Sequence, residues 1–260
     1  TPGPAGKPYV TKTAASFSGA ATVQLNNITN PSTVGTFFVR IQTYTGAALG
    51  GTATDAGVVA ASTAQQIVLT GTMPESLIFC TGGTVTANCG STTSGSISFN
   101  QLFSPTDTAT ATSQMAASTN AAQGYVITVN GPTLTSGSAT IPGWSSPTSA
   151  GTTRGISSWG MNLRANTTTT STVAVGADIT AASNGTDLKG QALTGYNTVD
   201  QFKFVSGDAV ANSAYDGASN NTLGPTNSQV YTASYAVNVA GNQLAGTYVS
   251  TLTYICTPTF

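Results

Sequence analysis

The chain of 260 residues contains no histidine, and only 6% of its residues are charged. Without histidine the sequence excludes a Ser-His-Asp triad, a Cys-His pair and a histidine-ligated metal site. Glu75 is the only glutamate, which also excludes a pair of catalytic glutamates of the glycosidase kind. The aspartates are scattered, and no SxxK pattern places a lysine beside a serine. We therefore expect no enzymatic activity and no cofactor, although a Ser/Thr-Lys site assembled by folding stays open.

The few charges are balanced, with Lys+Arg 7 against Asp+Glu 8 and a sequence pI of about 5.0. Nucleic-acid binding needs clustered lysine and arginine, and so does docking to anionic lipid. The sequence therefore predicts neither partner. No apolar run approaches 18 residues, so we expect no membrane insertion. A calcium site built from Asp178, Asp187 and loop carbonyls stays open, but no calcium-loop motif supports it.

The chain has three cysteines, and two of them lie close together. Cys80 and Cys89 flank a Gly-Gly turn in SLIFCTGGTVTANCGS. In a secreted chain this spacing predicts a hairpin disulfide, while two free thiols remain the alternative. Cys256 is expected to be a reduced thiol on an apolar strand face, although a different pairing stays open. Three cysteines without histidine or a CxxC pair do not make a zinc site. The chain begins at Thr1, which we interpret as a mature secreted product.

Threonine, serine, alanine and glycine are abundant, while hydrophobic residues make up 39% and the mean hydropathy is +0.07. Short alternating runs separated by polar loops predict an all-β antiparallel sandwich of the jelly-roll or Greek-key type, with long Thr/Ser/Gly-rich loops. The strands expected within these runs are residues 36–41, 66–69, 76–80, 96–99, 124–131, 158–163 and 201–205. Residues 104–123 are interpreted as a loop or a crossing strand.

The clearest alternation lies near the C-terminus. Residues 230–239 and 247–260 each carry apolar side chains on one face, and a turn at Gly241 and Asn242 separates them. We expect these two runs to form a β-hairpin. The expected core consists of Phe79, Tyr125, Ile127, Trp159, Leu163, Phe204, Tyr235, Val237, Leu252 and Tyr254.

The first 18 residues are expected to form an extended segment ahead of a single sandwich domain over residues 19–260. Pro2, Pro4 and Pro8 prevent a helix there. The strand that follows has one weakly apolar face, made by Tyr9, Thr11, Thr13, Ala15 and Phe17. We interpret it as a candidate donor strand for a second copy of the chain; the alternative is a first strand paired within its own subunit.

The C-terminal half carries a family resemblance. The segments NAAQGYVITVNGPTLTSGSATI, SWGMNLRANT, QFKFVSGDAVANS and YTASYAVNVAGNQLAGTYVSTLTYICTPTF, with the IFC…NC pair, resemble secreted surface proteins of Candidate Phyla Radiation bacteria such as Saccharibacteria. This resemblance covers roughly residues 75 to 260 and implies secretion and a cell-surface role. The N-terminal stretch SFSGAATVQLNNITNPSTVGTFFVRIQTYTG is similar to the opening strands of camelysin-type biofilm-matrix fibre subunits, which implies polymerisation by strand donation.

Two functions remain. The first is a structural subunit of an extracellular filament, which polymerises head-to-tail with copies of itself. The alternative is a monomeric cell-surface adhesin or carbohydrate-binding sandwich that recognises host-cell or matrix glycans. For that alternative, Trp144 is a candidate for sugar stacking, although it could equally anchor its loop, while Trp159 is expected to lie in the core. Four sequons are candidate glycosylation acceptors: Asn27, Asn166, Asn184 and Asn220.

Overall fold

The computed structural model describes residues 7–13, 19–20, 22–167, 174–181, 188–214 and 224–260. The chain separates into two compact units, Thr1–Thr72 and Met73–Phe260. The boundary between the units lies within residues 19–260, the range that the sequence assigns to a single sandwich domain.

Unit 1 (Thr1–Thr72) contains one antiparallel hairpin of two strands, β1 (Gly35–Tyr44) and β2 (Ala53–Thr63). A 3₁₀ turn at Ala47–Leu49 lies between them. Among the described residues of this unit, none is buried. As far as the described residues reach, both faces of the hairpin are therefore exposed.

Unit 2 (Met73–Phe260) contains the other strands. In chain order they are β3 (Leu77–Gly82), β4 (Ala109–Thr119), β5 (Tyr125–Asn130), β6 (Leu134–Ser136), β7 (Ala139–Ile141), β8 (Thr148–Ser149), β9 (Ser158–Asn162), β10 (Thr180–Ala181), β11 (Gln191–Ala192), β12 (Gln201–Phe202), β13 (Ala209–Asn212), β14 (Thr226–Asn238) and β15 (Thr253–Pro258).

Two antiparallel sheets of unit 2 form the sandwich. The first runs β10-β14-β4-β3, and β9 also pairs with β14; the second runs β11-β13-β5-β15. Two small pairs, β6 with β7 and β8 with β12, lie outside these sheets. The hydroxyls of Tyr125 on β5 and Tyr231 on β14 lie 2.8 Å apart, which shows that the two sheets face each other across the core. The all-β antiparallel fold predicted from the sequence is confirmed.

The core lies between these sheets. Seven of the ten predicted core residues are buried, and the other three, Phe79, Leu252 and Tyr254, are partly buried against the same cluster. Alternation therefore identified the inward faces correctly. The core also contains Met115 on β4 and Tyr196, neither of which was in the predicted set.

The predicted C-terminal hairpin is wrong. β14 pairs with β4, β9 and β10, whereas β15 pairs with β5 in the opposite sheet. Alternation determines which side of a strand is buried, and it leaves the pairing partner open. Two strands with one apolar face each bury those faces equally well when they lie in facing sheets.

The stretch interpreted as a loop or a crossing strand, residues 104–123, contains the strand β4, which lies between β3 and β14. Two other local expectations are wrong. Residues 66–69 and 96–99, expected to be strands, are in no strand. Both stretches have strand-like composition, but neither has backbone partners among the described residues. No helix in the described part of the chain is long and apolar enough to span a membrane.

Candidate functional site

A groove of about 920 Å³ opens in unit 2. It is lined by residues 95–103, 239–241 and 243–250 and by Leu252, together with Trp159, Tyr235 and Tyr254. Among the described residues, none of its lining side chains is charged. Volumes of this size are typical of ligand sites. The sequence gave no direct signal for the groove, because its lining comes from segments that are far apart in the chain.

Residues 95–103, which we call the strap, carry the inward-facing side chains of the groove. Ile97, Phe99 and Phe103 pack against the core, and the rings of Phe99 and Phe103 meet edge to face at 5.5 Å. Among the described residues, no backbone group of the strap bonds to another backbone group. Asn100 has a φ of 52°, which interrupts the extended conformation. The strap therefore fills part of the groove with apolar side chains while its backbone remains unpaired.

The strand β15 leaves one edge open beside the groove. Thr259 exchanges backbone hydrogen bonds with Gln123 and Gly124, next to β5. Because hydrogen-bonding direction alternates along an antiparallel strand, the odd-numbered residues of β15 face β5 and the even-numbered residues face outward. The backbone groups of Tyr254 and Cys256 therefore point to the open edge, where no described strand pairs with them. Pro258 lies on the same side, and there its missing N–H breaks no ladder bond.

The sheet edges differ in length. On one side, the first sheet ends in β9, which has five residues, and in β10, which has two, while the second sheet ends in β11, which has two. Gly143 and Lys203 form bridges to β9. On the other side the sheets end in β3 and β15, which have six residues each. Long open edges invite pairing with another chain, and short ones discourage it. The fold thus leaves its two long edges on the same side of the sandwich.

The predicted donor strand is only partly described. Tyr9 is half-buried, while Val10, Thr11 and Thr13 are exposed, and none of residues 9–13 belongs to a strand. Ala15 and Phe17 lie outside the described residues. Pro8, immediately before this run, forms an isolated β-bridge.

The predicted disulfide is confirmed. Cys80 on β3 is bonded to Cys89 in the following loop, and Cys256 is free. Burial raises the pKa of the Cys256 thiol to about 12. Because the thiolate is the reactive form, this thiol is inert near neutral pH.

The four sequons lie in different surroundings. Asn27 is exposed, and Asn184 and Asn220 lie outside the described residues. Asn166 is buried, and its amide nitrogen donates to Asn162 Oδ1 and to two backbone carbonyls. An attached glycan does not fit at Asn166 in this fold, because that nitrogen is enclosed and fully engaged. Asn27 is the only sequon of the described residues that is accessible.

Both tryptophans are buried. Trp159 lies in the core, as its alternation with Met161 and Leu163 predicted, and it is stacked on Phe204 with ring centroids 4.1 Å apart. Trp144 is 8% exposed and packs near Phe202. Neither ring face is free to stack on a sugar. Of the two roles that the sequence left open for Trp144, its burial beside Phe202 supports loop anchoring and not sugar stacking.

Acidic groups form no metal cluster in the part of the chain that the structure describes. Asp178, one of the two candidate calcium ligands, accepts hydrogen bonds from the Ala165 N–H and from Arg164 Nε at 2.7 Å. The Ala165 N–H, together with the Arg164 guanidinium, holds the pKa of Asp178 below its usual range. Asp187 lies outside the described residues. The described contacts of Asp178 are therefore those of a structural ion pair.

Comparison with protein families and with curated proteins finds no family model and no curated protein that matches this chain.

Proposed function

We propose that the protein is a secreted structural subunit of an extracellular filament, which polymerises when the N-terminal strand of one copy completes the sandwich of the next. The single observation that carries this proposal is the contrast between the two units. Unit 2 has a closed core, whereas unit 1 has strands but no buried residue among those described.

The hairpin of unit 1 is exposed to an unusual extent. Phe38, Ile41 and Val59 are each more than 60% exposed. A two-stranded hairpin is marginally stable by itself in water, and it needs further strands or a packed face. Exposed apolar patches of this kind mark interaction surfaces. We therefore infer that a partner stabilises the hairpin of unit 1.

The N-terminal segment has the properties of a donor. Three prolines precede it, and Thr11, Thr13 and Ala15 are small enough to enter a preformed groove. Tyr9 and Phe17 would anchor its two ends, and each contributes about 1.5–3 kcal/mol if fully buried. An extended peptide that completes a sheet gains a ladder of backbone hydrogen bonds as well.

The surface and the disulfide support an extracellular assembly. A net charge of −1 leaves little electrostatic repulsion between copies. Disulfides form and persist mainly in oxidising environments, so the Cys80–Cys89 bond supports secretion. A head-to-tail contact between one end of a subunit and a different site on the next produces a fibre when the rotation does not close.

A monomeric carbohydrate-binding adhesin is the second candidate. The groove supports this function because it contains the aromatic ring of Tyr248 and the uncharged amides of Gln243 and Asn100. Burial of Trp144 and Trp159 removes the two residues that the sequence offered for sugar stacking.

Sedimentation and negative-stain microscopy of the purified full chain at neutral pH test the proposal. We expect concentration-dependent growth of filaments of uniform width. A protein that sediments as a monomer over the whole concentration range would contradict the filament function and favour the adhesin.

A further inference from the structure

The stretch of chain that connects the two units is long, exposed and without regular structure. None of residues 64–76 belongs to a strand, a helix or a turn, and every one of them is exposed. The side chains of Ile67, Val68 and Leu69 are 84%, 75% and 91% exposed. Side chains of these types are usually among the most buried in a folded protein. The stretch is therefore open to a partner that binds apolar side chains.

Both ends of this stretch are held by hydrogen bonds. Thr63 Oγ1, at the end of β2, donates to the Thr33 carbonyl at 2.6 Å, and Asn120 Nδ2 donates to the Pro74 carbonyl at 2.7 Å. Between these anchors, no backbone group of residues 64–73 bonds to another backbone group among the described residues. An endopeptidase that binds its substrate as an added strand needs such free backbone groups on both sides of the bond that it cuts. As far as the described residues reach, residues 64–73 offer them while the neighbouring strands stay folded.

We propose that residues 64–73 are a processing site, at which an endopeptidase with an apolar specificity pocket cuts the peptide bond between Leu69 and Thr70. A water molecule adds across that bond, which leaves a carboxylate on Leu69 and an amino group on Thr70. The cut separates the N-terminal donor segment and the hairpin of unit 1 from the sandwich of unit 2. This consequence for assembly rests on the filament function proposed above, whereas the cut itself does not.

The sequence around Leu69 determines the class of endopeptidase. No lysine or arginine occurs between Arg40 and Arg154, so an enzyme that needs a basic residue finds no site there. The nearest acidic residues are Asp55 and Glu75, and both lie outside residues 64–73. The pocket that receives the residue before the cut sets the specificity of a peptidase, and a hydrophobic slot accepts a side chain such as leucine. The stretch therefore fits an enzyme with a hydrophobic slot.

A second leucine shows why exposure alone does not make such a site. Leu102 is 94% exposed, but it lies in the strap between Phe99 and Phe103, which pack against the core. A peptidase would have to pull these two rings away from the core to bind the backbone on both sides of Leu102. We therefore expect Leu102 to resist cleavage in the folded protein, although it is as exposed as Leu69.

The cut has an unequal effect on the two units. Unit 2 keeps its core and its disulfide, whereas no described residue of unit 1 is buried. A hairpin of two strands is marginally stable by itself in water, so the released unit 1 has little to hold its structure. Cleavage therefore leaves a folded sandwich that has lost its donor segment.

Limited proteolysis of the full chain with chymotrypsin, which has a hydrophobic slot, tests the site. Mass spectrometry should find a fragment that begins at Thr70. Leu69→Thr should slow the formation of that fragment by about tenfold or more, whereas the matched control Leu102→Thr should not change it. Trypsin is the negative control, because residues 41–153 contain no lysine or arginine.

The same digestion shows whether the site is accessible in the folded protein. The variant Cys80→Ser with Cys89→Ser should release the Thr70 fragment at the parent rate, because the cut needs no unfolding of unit 2. A much faster release from this variant would overturn the proposal. So would equal rates for the parent and Leu69→Thr, or a digest in which cuts after Leu25 or Leu102 accumulate and the Thr70 fragment is absent.

Microscopy of the cut chain separates this proposal from the filament function. We expect chain that has been cut after Leu69 to form no filaments under conditions in which the uncut chain does. Filaments that grow from the cut chain would contradict its effect on assembly. An uncut chain that forms no filaments but gives the Thr70 fragment would overturn the filament function and support the processing site.

Discussion

The hydroxyl oxygens of Tyr235 and Tyr254 lie 2.7 Å apart, one on β14 and the other on β15. Ser113 Oγ lies 2.8 Å from the Tyr235 hydroxyl, and the Tyr254 hydroxyl also donates to the sulfur of Met161. The pair joins the two sheets through side chains at the bottom of the groove. Buried polar groups are costly unless they are hydrogen-bonded, so this pair fixes how the sheets sit on each other.

Replacing Tyr235 with phenylalanine tests this link. The Tyr254 hydroxyl would lose a partner inside the core, so we expect Tyr235→Phe to lower the free energy of unfolding by about 1–3 kcal/mol. Urea denaturation measures the change. The matched control is Tyr44→Phe, where the hydroxyl donates to Gln42 in the open hairpin, and it should change stability little. Equal losses in the free energy of unfolding for the two variants would contradict a stabilising hydrogen bond between Tyr235 and Tyr254.

The double variant Tyr235→Phe with Tyr254→Phe refines that test. It removes both hydroxyls, so no orphaned hydroxyl of this pair remains in the core. We expect it to be less destabilised than the sum of the two single variants. Strict additivity would contradict a direct bond between the two hydroxyls.

The buried tyrosines predict a loss of stability at high pH. Burial raises the pKa of Tyr125, Tyr231, Tyr235 and Tyr254 above the ordinary value. Above about pH 10 these tyrosines ionise in the unfolded chain and stay protonated in the folded one, so the unfolded state binds fewer protons. Below about pH 10, the free energy of unfolding should therefore not depend on these groups. Above about pH 10, the free energy of unfolding should fall by about 1.4 kcal/mol per pH unit for each of these tyrosines.

Denaturant titrations between pH 7 and 11.5 measure this slope. Tyr231→Phe removes one of these groups, so the free energy of unfolding should fall less steeply with pH, by about 1.4 kcal/mol per pH unit. Stability that stays level up to pH 11.5 would show that these side chains titrate alike in the folded and unfolded chain.

The disulfide is expected to stabilise unit 2. Cys80 and Cys89 are nine residues apart in sequence, and closing a loop of this size contributes about 2–3 kcal/mol. The double variant Cys80→Ser with Cys89→Ser should lose that amount in urea denaturation, while Cys256→Ser should stay close to the parent. Non-reducing peptide mapping that finds Cys256 linked to either of the other cysteines would contradict the pairing.

Local chemistry was predictable from the sequence wherever it depends on neighbours in the chain. Alternation placed Tyr125, Ile127 and Val237 in the core, and the spacing around a Gly-Gly turn gave the disulfide. Both follow from short-range geometry. The sequence left the role of Trp144 open between binding and loop anchoring, because a loop of serine, glycine and proline gives no sign of the pocket that Phe202 completes.

Pairing and cavities were not predictable in the same way. β15 carries the same alternation whether it neighbours β14 or β5, and only tertiary packing decides between them. The strap has a strand-like sequence, but Asn100 bends it and no described strand accepts its backbone. The groove exists because β15 pairs with β5 and because the strap remains unpaired. No local sequence pattern therefore predicts the groove.

Deletion of residues 1–18, followed by sedimentation and negative-stain microscopy, tests strand donation most directly. The account predicts that the full chain forms filaments and that the truncated chain remains monomeric with the sandwich of unit 2 intact. Filaments that persist in the truncated protein would contradict strand donation by the N-terminal segment.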